Sequence, residues 1–288
     1  MKGKLTAIAC ILGVMLLVAG AGVCDEKVSM SDWTQIVEQI GNKGSINWTG
    51  GYVEAVGIGA PPDQSIGKPN ARPMALRAAQ VDAYRNLLET VNGVRIDAVT
   101  TVKDFTTQSD VINAQVQGLV KGAKTMKQEY MSDGTVEVTV RMPLGGDFSQ
   151  VIVPRILEKK QIPSPDVAPP TAPAAVVYTG LVVDARGLQA RPAMSPKILD
   201  EDGKEVYGSM NVDREYAVQQ GMSGYARDLT AAQSNPRVTN NPVTVKGLKA
   251  DGQGRSDIVI SNSIATAIRG AADNLTFMKK CRVMIVLD

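Results

Sequence analysis

Between residues 70 and 144 the chain switches from a helical period to a strand period, and that switch restricts the folds open to it. The run A-R-P-M-A-L-R-A-A-Q-V-D-A-Y-R-N-L-L-E-T-V-N-G places Met74, Ala78, Val81, Leu88 and Val91 at three- and four-residue steps. Such spacing gathers them on one face of a helix. Arg72, Gln80, Asp82, Arg85 and Glu89 fall mostly away from it. Asn70 is expected to cap the start, Pro73 is tolerable in the first turn, and Gly93 is expected to supply a left-handed stop. Further on, Lys121 to Tyr130 and Thr135 to Met142 predict a hairpin around Asp133-Gly134. Val136, Val138 and Val140 share one side of its second strand; Glu137, Thr139 and Arg141 share the other. A helix covering one face of an antiparallel sheet is the expected arrangement.

The alanine-rich helix, E-T-V-N-G-V-R-I-D, S-D-V-I-N, G-L-V-K-G-A-K and the strand D-G-T-V-E-V-T-V-R-M-P-L together resemble the bacterial twenty-kilodalton lipoprotein family. That family is related to the flagellar assembly proteins P and T, through the N-terminal domain of the latter. The resemblance covers roughly a quarter of the chain, and its motifs are packing and turn residues. It implies a small α+β module of the Gram-negative envelope, and in flagellar relatives a part of rings or disks around the motor. It carries no catalytic residues.

The first residues bear on compartment. Lys2 and Lys4 precede an apolar run from Leu5 to Val18, followed by Ala19-Gly20-Ala21. This reads as a secretory signal over residues 1–21, with a retained anchor as the competing reading. Cys24 is a candidate for lipidation, although Val23 in front of it is a poor fit to the usual small residue. Cys24 and Cys281 would be the two cysteines left after cleavage. They can pair in an oxidising periplasm or remain two thiols, with Cys281 buried.

Composition excludes several kinds of chemistry. There is no histidine, which removes Ser-His-Asp and Cys-His catalysis and histidine-ligated zinc. The formal net charge is +2 and aromatic residues make up 4%, so neither a nucleic-acid stripe nor a stacking platform for sugars is present. The glycines of 50–59 fail the dinucleotide spacing at Pro62, and Gly67-Lys68 is followed by Pro69 where a P-loop needs Ser or Thr. They are expected to be a strand end. Asp200-Glu201-Asp202-Gly203 resembles the opening of a calcium loop but lacks its later glutamate, so a hairpin turn is expected.

The proline-rich stretch 161–175 reads as a semi-rigid spacer. It divides the chain into a signal (1–21), a lipoprotein-family-like domain (22–160), the linker (161–175) and a C-terminal domain (176–288). The fold class is α+β, two small domains, each a mixed or antiparallel sheet covered by helices. Elsewhere, 28–43 reads as an amphipathic helix with Trp33, Ile36, Val37 and Ile40 on one face and Gly41 at its end. Val94 to Thr101 alternates like a strand. Asp104 to Leu119 reads as a short helix or crossover, and a helix over Phe148 to Leu157 has to kink or divide at Pro154. In the second half, Val176 to Asp184 is a strand and 213–232 is helical in composition. Asp251 to Gly254 is a turn between strands, a helix follows Ser261 or Ser263, and Arg282 to Leu287 is a strand buried on both faces.

No catalytic residue, metal ligand or cofactor site follows from these patterns. The expectation is a non-enzymatic, exported protein of the periplasm or outer-membrane periphery. It would work by self-association or by docking on other envelope proteins, with no nucleic-acid partner. The Val136-Val138-Val140 strand is the candidate for pairing if it lies at an edge. The alternative is a periplasmic small-ligand-binding protein, with Asp184 and Arg186 at a strand end as candidate ligand-binding residues; a local salt bridge is the competing reading of that pair.

Overall fold

The computed structural model describes residues 34–158, 178–270 and 274–288. The expected signal (1–21), Cys24, Trp33 and the 161–175 linker lie outside the described residues.

The N-terminal half begins with three strands, β1 (Val37–Ile40), β2 (Gly44–Asn47) and β3 (Tyr52–Gly59). The helix expected over 28–43 is thus overturned across its second part, where β1 pairs antiparallel with β2. Gly41, at φ 61°, turns the hairpin instead of ending a helix. Four apolar positions were too few to tell a helical face from an alternating strand.

Next come α1 (Ala71–Asn92), α2 (Val102–Gln108), α3 (Asp110–Lys121), β4 (Lys124–Tyr130), β5 (Val136–Pro143) and α4 (Asp147–Glu158). The strands form one antiparallel sheet in the order β1-β2-β3-β5-β4. The hairpin at Asp133-Gly134 is as expected, and Val136, Val138 and Val140 are buried. Their strand is not an edge, however. β5 lies between β3 and β4, and the edge strands are β1 and β4.

α1 spans the expected residues but presents a different face. Ala75, Ala79, Ala83, Leu87, Thr90 and Val91 are buried, while Met74, Ala78 and Val81 are exposed. The buried stripe is turned from the expected one by about 100°, one residue's worth of helix. The cause is on the facing strand. A Cβ at Gly57 would lie 2.1 Å from the Ala83 nitrogen, and one at Gly59 would lie 2.2 Å from the Ala75 carbonyl oxygen. Helix and strand approach backbone to backbone, so only alanines fit between them. The expected caps also differ. The Asn70 side chain makes no cap bond, and Gly93 sits at φ -79°, right-handed rather than left-handed.

Beyond β2 the edge of β3 is open, and α1 closes it. Asp82 Oδ2 accepts from the Ile58 amide at 3.0 Å and from Lys43 Nζ at 2.8 Å. Asn86 Nδ2 donates to the Val56 carbonyl at 2.8 Å. Burial alone would raise the Asp82 carboxyl, but Lys43, Ile58 and Asn86 together hold it below its ordinary range.

Two further expectations are corrected here. Val94 to Thr101 is no ladder strand; it makes a single bridge, Arg95 with Thr101. Its Val94, Ile96 and Ala98 are nonetheless buried, because its carbonyls bond to the other half. The irregular stretch 104–119 resolves into α2 and α3, the first capped by a Thr101–Asp104 box and the second by Ser109. Pro154 belongs to one helix, α4, which is not divided.

The C-terminal half contains β6 (Gly180–Asp184), β7 (Ile198–Leu199), β8 (Glu205–Tyr207), α5 (Arg214–Gln220), β9 (Gly224–Ala226), α6 (Leu229–Gln233) and β10 (Pro242–Lys246). It continues with β11 (Lys249–Asp251), β12 (Asp257–Val259), α7 (Asn262–Arg269), α8 (Asn274–Lys279) and β13 (Val283–Val286). One sheet, β10-β6-β13-β9, is parallel throughout. The other, β11-β12-β7-β8, is mixed. Helices and sheets together make the molecule α+β, as expected. β13 is buried along its whole length, in keeping with its continuous apolar run. The stretch 213–232 is not one helix: β9 is inserted where Gly221 ends α5. In α7 Ser261 caps as expected, and Ala265 and Ile268 form the buried side while Ala267 is exposed. Among the described residues no helix is long and apolar enough to cross a membrane.

Candidate ligand-binding cleft

The residues singled out from sequence do not meet in one site. Asp184 ends β6, and Arg186 folds back on it: Nε donates to Oδ1 and Nη2 to Oδ2, each at 2.8 Å. The Arg186 hydrogen bonds hold the Asp184 carboxyl below its ordinary range. Each charge faces the other, across a bidentate pair that leaves Arg186 two-fifths exposed. Asp200 is buried; it bonds the amides of Asp202 and Lys204 and pairs with Arg269 at 2.8 Å. That geometry is a hairpin turn, and no group of three metal-ligating side chains occurs among the described residues. Cys281 is a buried free thiol, and burial pushes its pKa up to about 11. Cys24 lies outside the described residues.

The two halves meet through charge and aromatic packing. Glu38 on β1 receives Arg95 Nη1 at 2.8 Å, Arg191 Nη2 at 2.7 Å and Trp48 Nε1 at 3.3 Å. Burial alone would raise the Glu38 carboxyl, but Arg95, with Arg191 and Trp48, holds it below its ordinary range. Arg95 also donates from Nε to the Pro192 carbonyl at 2.9 Å. The backbone of 95–98 accepts the amides of Met194, Ser195 and Gly254. Trp48 meets Tyr225 edge to face, with centroids 5.9 Å apart and planes at 71°. Tyr225 is held from the C-terminal side, its hydroxyl bonding both the amide and the carbonyl of Ala193. Burial pushes its pKa up to about 12, so it stays a neutral phenol.

Beside this contact lies a cleft of about 510 Å³. Residues 48–51 and 143–146 form one wall; 219–221 and 223–225 form the other. Arg237 is the one charged side chain among its lining residues. The guanidinium caps three carbonyls: Nη1 donates to Cys281 at 2.9 Å and Gly221 at 3.1 Å, and Nη2 donates to Gln220. None of the described carboxylates pairs with it. Burial lowers its pKa from the ordinary value, yet an arginine stays charged. A second hollow of about 300 Å³ lies along β9 and shares Thr49, Gly224, Tyr225 and Arg237 with the first. Ser223 Oγ is buried in the wall beside the Tyr225 hydroxyl and favours its ionised form through a hydrogen bond.

Arg237 carried no signal in the sequence. It sits in S-N-P-R-V-T-N-N-P, a turn-rich segment, and its partners come from the end of α5 and from Cys281, two residues before β13. Trp48 was equally silent, because its role depends on Tyr225 from the other half. No curated protein matches this chain. Over residues 180–288, from β6 to the last residue, the chain is similar to the second domain of Tp0624 from Treponema pallidum, whose family model it matches.

Proposed function

We propose that this protein is an exported structural or assembly component of the bacterial cell envelope, in the periplasm or at the outer-membrane periphery, and that it acts by pairing rather than by turnover. The resemblance of residues 70–144 to envelope lipoproteins supports this reading. The observation that carries it is β4, an edge of the N-terminal sheet in which no residue is buried; the other edge, β1, is engaged by the C-terminal half where Arg191 bonds Glu38. An unpaired edge offers a row of backbone donors and acceptors to a further strand. The β-bulge between Thr125 and Lys127 interrupts that row. It confines pairing to the run from Lys127 to Tyr130 and disfavours open-ended stacking. Exposed Tyr130 and Met131 at the end of that run supply apolar contact. A second copy, or a strand of another envelope protein, is the partner.

Gln128→Cys in a Cys24→Ser background tests this directly, since Gln128 is exposed and Cys281 is buried. The expected result is a cross-linked species in intact cells, either a dimer or an adduct with an envelope protein. A chain that sizes as a monomer and gives no adduct through position 128 overturns the reading.

A further inference from the structure

We propose that the cleft between the halves is a binding site for a small carboxylate-bearing ligand with an apolar body, gripped by the free edge of the Arg237 guanidinium.

An arginine offers five N–H donors in one plane. Three of them are spent on the carbonyls of Gln220, Gly221 and Cys281. These acceptors orient the plane but bring no full negative charge. The Nε–H and the second Nη2–H are left, and they lie on the same edge of the guanidinium. Two parallel donors on one edge match the two oxygens of a carboxylate. That edge lies beside Gly224 and Met284, where the cleft meets the second hollow; a Cβ on Gly224 would lie 3.1 Å from Nε and 2.4 Å from Met284 Sδ. Glycine keeps the approach clear. A largely buried cation without a counter-ion is costly, and an incoming anion supplies the missing charge.

The rest of the cleft selects the kind of anion. Arg237 is the sole charged residue lining the cleft, and the adjoining hollow adds Arg227 and Asp228, whose charges cancel, so a single negative charge is matched and a doubly charged phosphate is not. Trp48, Tyr225 and Met194 offer apolar surface. A volume of about 510 Å³ suits a small molecule or the last residues of a peptide. Both sources present the same chemistry, a terminal carboxylate on an apolar side chain. The site stands apart from the β4 edge, so it holds or fails independently of the assembly reading.

Calorimetric titration of the full mature chain tests it with N-acetyl-leucine, N-acetyl-phenylalanine, the tripeptide Ala-Ala-Leu with a free or an amidated carboxyl, and inorganic phosphate. The expected result is saturable binding of at least one free carboxylate, no binding of the amide, and none of phosphate. Binding of the acetylated amino acids identifies a free acid as the source; binding of the tripeptide alone identifies a peptide terminus. Arg237→Lys keeps the charge but loses the fork, and weakens binding at least tenfold. Because Arg237 also caps carbonyls, a second variant leaves it untouched. Gln219→Trp replaces an exposed residue at the rim and abolishes binding by filling the mouth. The proposal is overturned if no free carboxylate binds, if the amide or phosphate binds as well, or if both variants bind like the wild type.

Discussion

The two halves of this molecule each draw in an arginine and satisfy it in opposite ways. In the N-terminal half the buried Arg95 meets the Glu38 carboxylate, and the more exposed Arg141 and Lys43 meet Glu54 and Asp82. In the C-terminal half Arg269 pairs with the buried Asp200, but the partly buried Arg237 meets only carbonyls. The sheets differ in step. The antiparallel sheet carries α1 on one face and leaves Glu54, Glu137, Thr139 and Arg141 on the other, partly open to solvent. The parallel sheet closes over β6 and β13, whose residues are almost all buried. A half-open sheet can settle its charges at the surface, where pairing costs little. An enclosed one leaves an internal arginine with a need that folding does not meet, which is the mark of a site rather than of a scaffold.

The comparison breaks first at its tightest contact. Gly57→Ala places a methyl against α1 backbone that has no room to give. A loss of about 3 kcal/mol or more is expected, read from the denaturant midpoint. Gly224→Ala in the other half meets the flexible end of Met284 and the Arg237 Nε, so about 1 kcal/mol is expected. Equal costs at the two positions would mean that backbone contact does not distinguish the halves.

Arg95→Ala leaves the half-buried Glu38 with only Arg191 and Trp48, and is expected to cost about 2 kcal/mol. The same junction makes stability depend on pH. The folded Glu38 pKa lies below its ordinary 4.5, so its contribution is complete above that value and fades as pH falls through the lower, folded one. Urea titrations from pH 6 to pH 3 should show a loss that Glu38→Gln flattens. An identical profile in the variant would remove Glu38 from the junction's energetics.

The smallest effect is expected at Asp184→Asn. It breaks an ion pair whose arginine is well exposed, and about 0.2 to 1 kcal/mol is the range for such pairs. A larger loss would show that the pair organises the end of the parallel sheet.

How far these features could be read in advance depended on the range of the interactions behind them. The Asp133-Gly134 hairpin, the valines of β5 and the apolar run of β13 are local patterns, and they were legible. The face of α1 was not, because the choice between Met74-Ala78-Val81 and Ala75-Ala79-Ala83 is made by Gly57 and Gly59 on a distant strand. β1 was mistaken for a helix since its few apolar residues fit either period. β9 went unseen because three residues pair only once β13, far along the chain, lies beside them. The Asp184–Arg186 pair was visible as neighbours, whereas Arg237 became a candidate only when the end of α5 and Cys281 enclosed it.

What the amino-acid sequence determined by itself was therefore the class of the fold, the extent of α1, the turns at Asp-Gly and the absence of histidine chemistry. Each of these is a property of residues within one turn or one hairpin, or of composition alone. Which helix face is buried, which strand is left at the edge and which arginine is enclosed without a carboxylate were decided by the tertiary structure. Those outcomes rest on contacts between residues many tens of positions apart, where the space and charge supplied by one segment select what the other can hold.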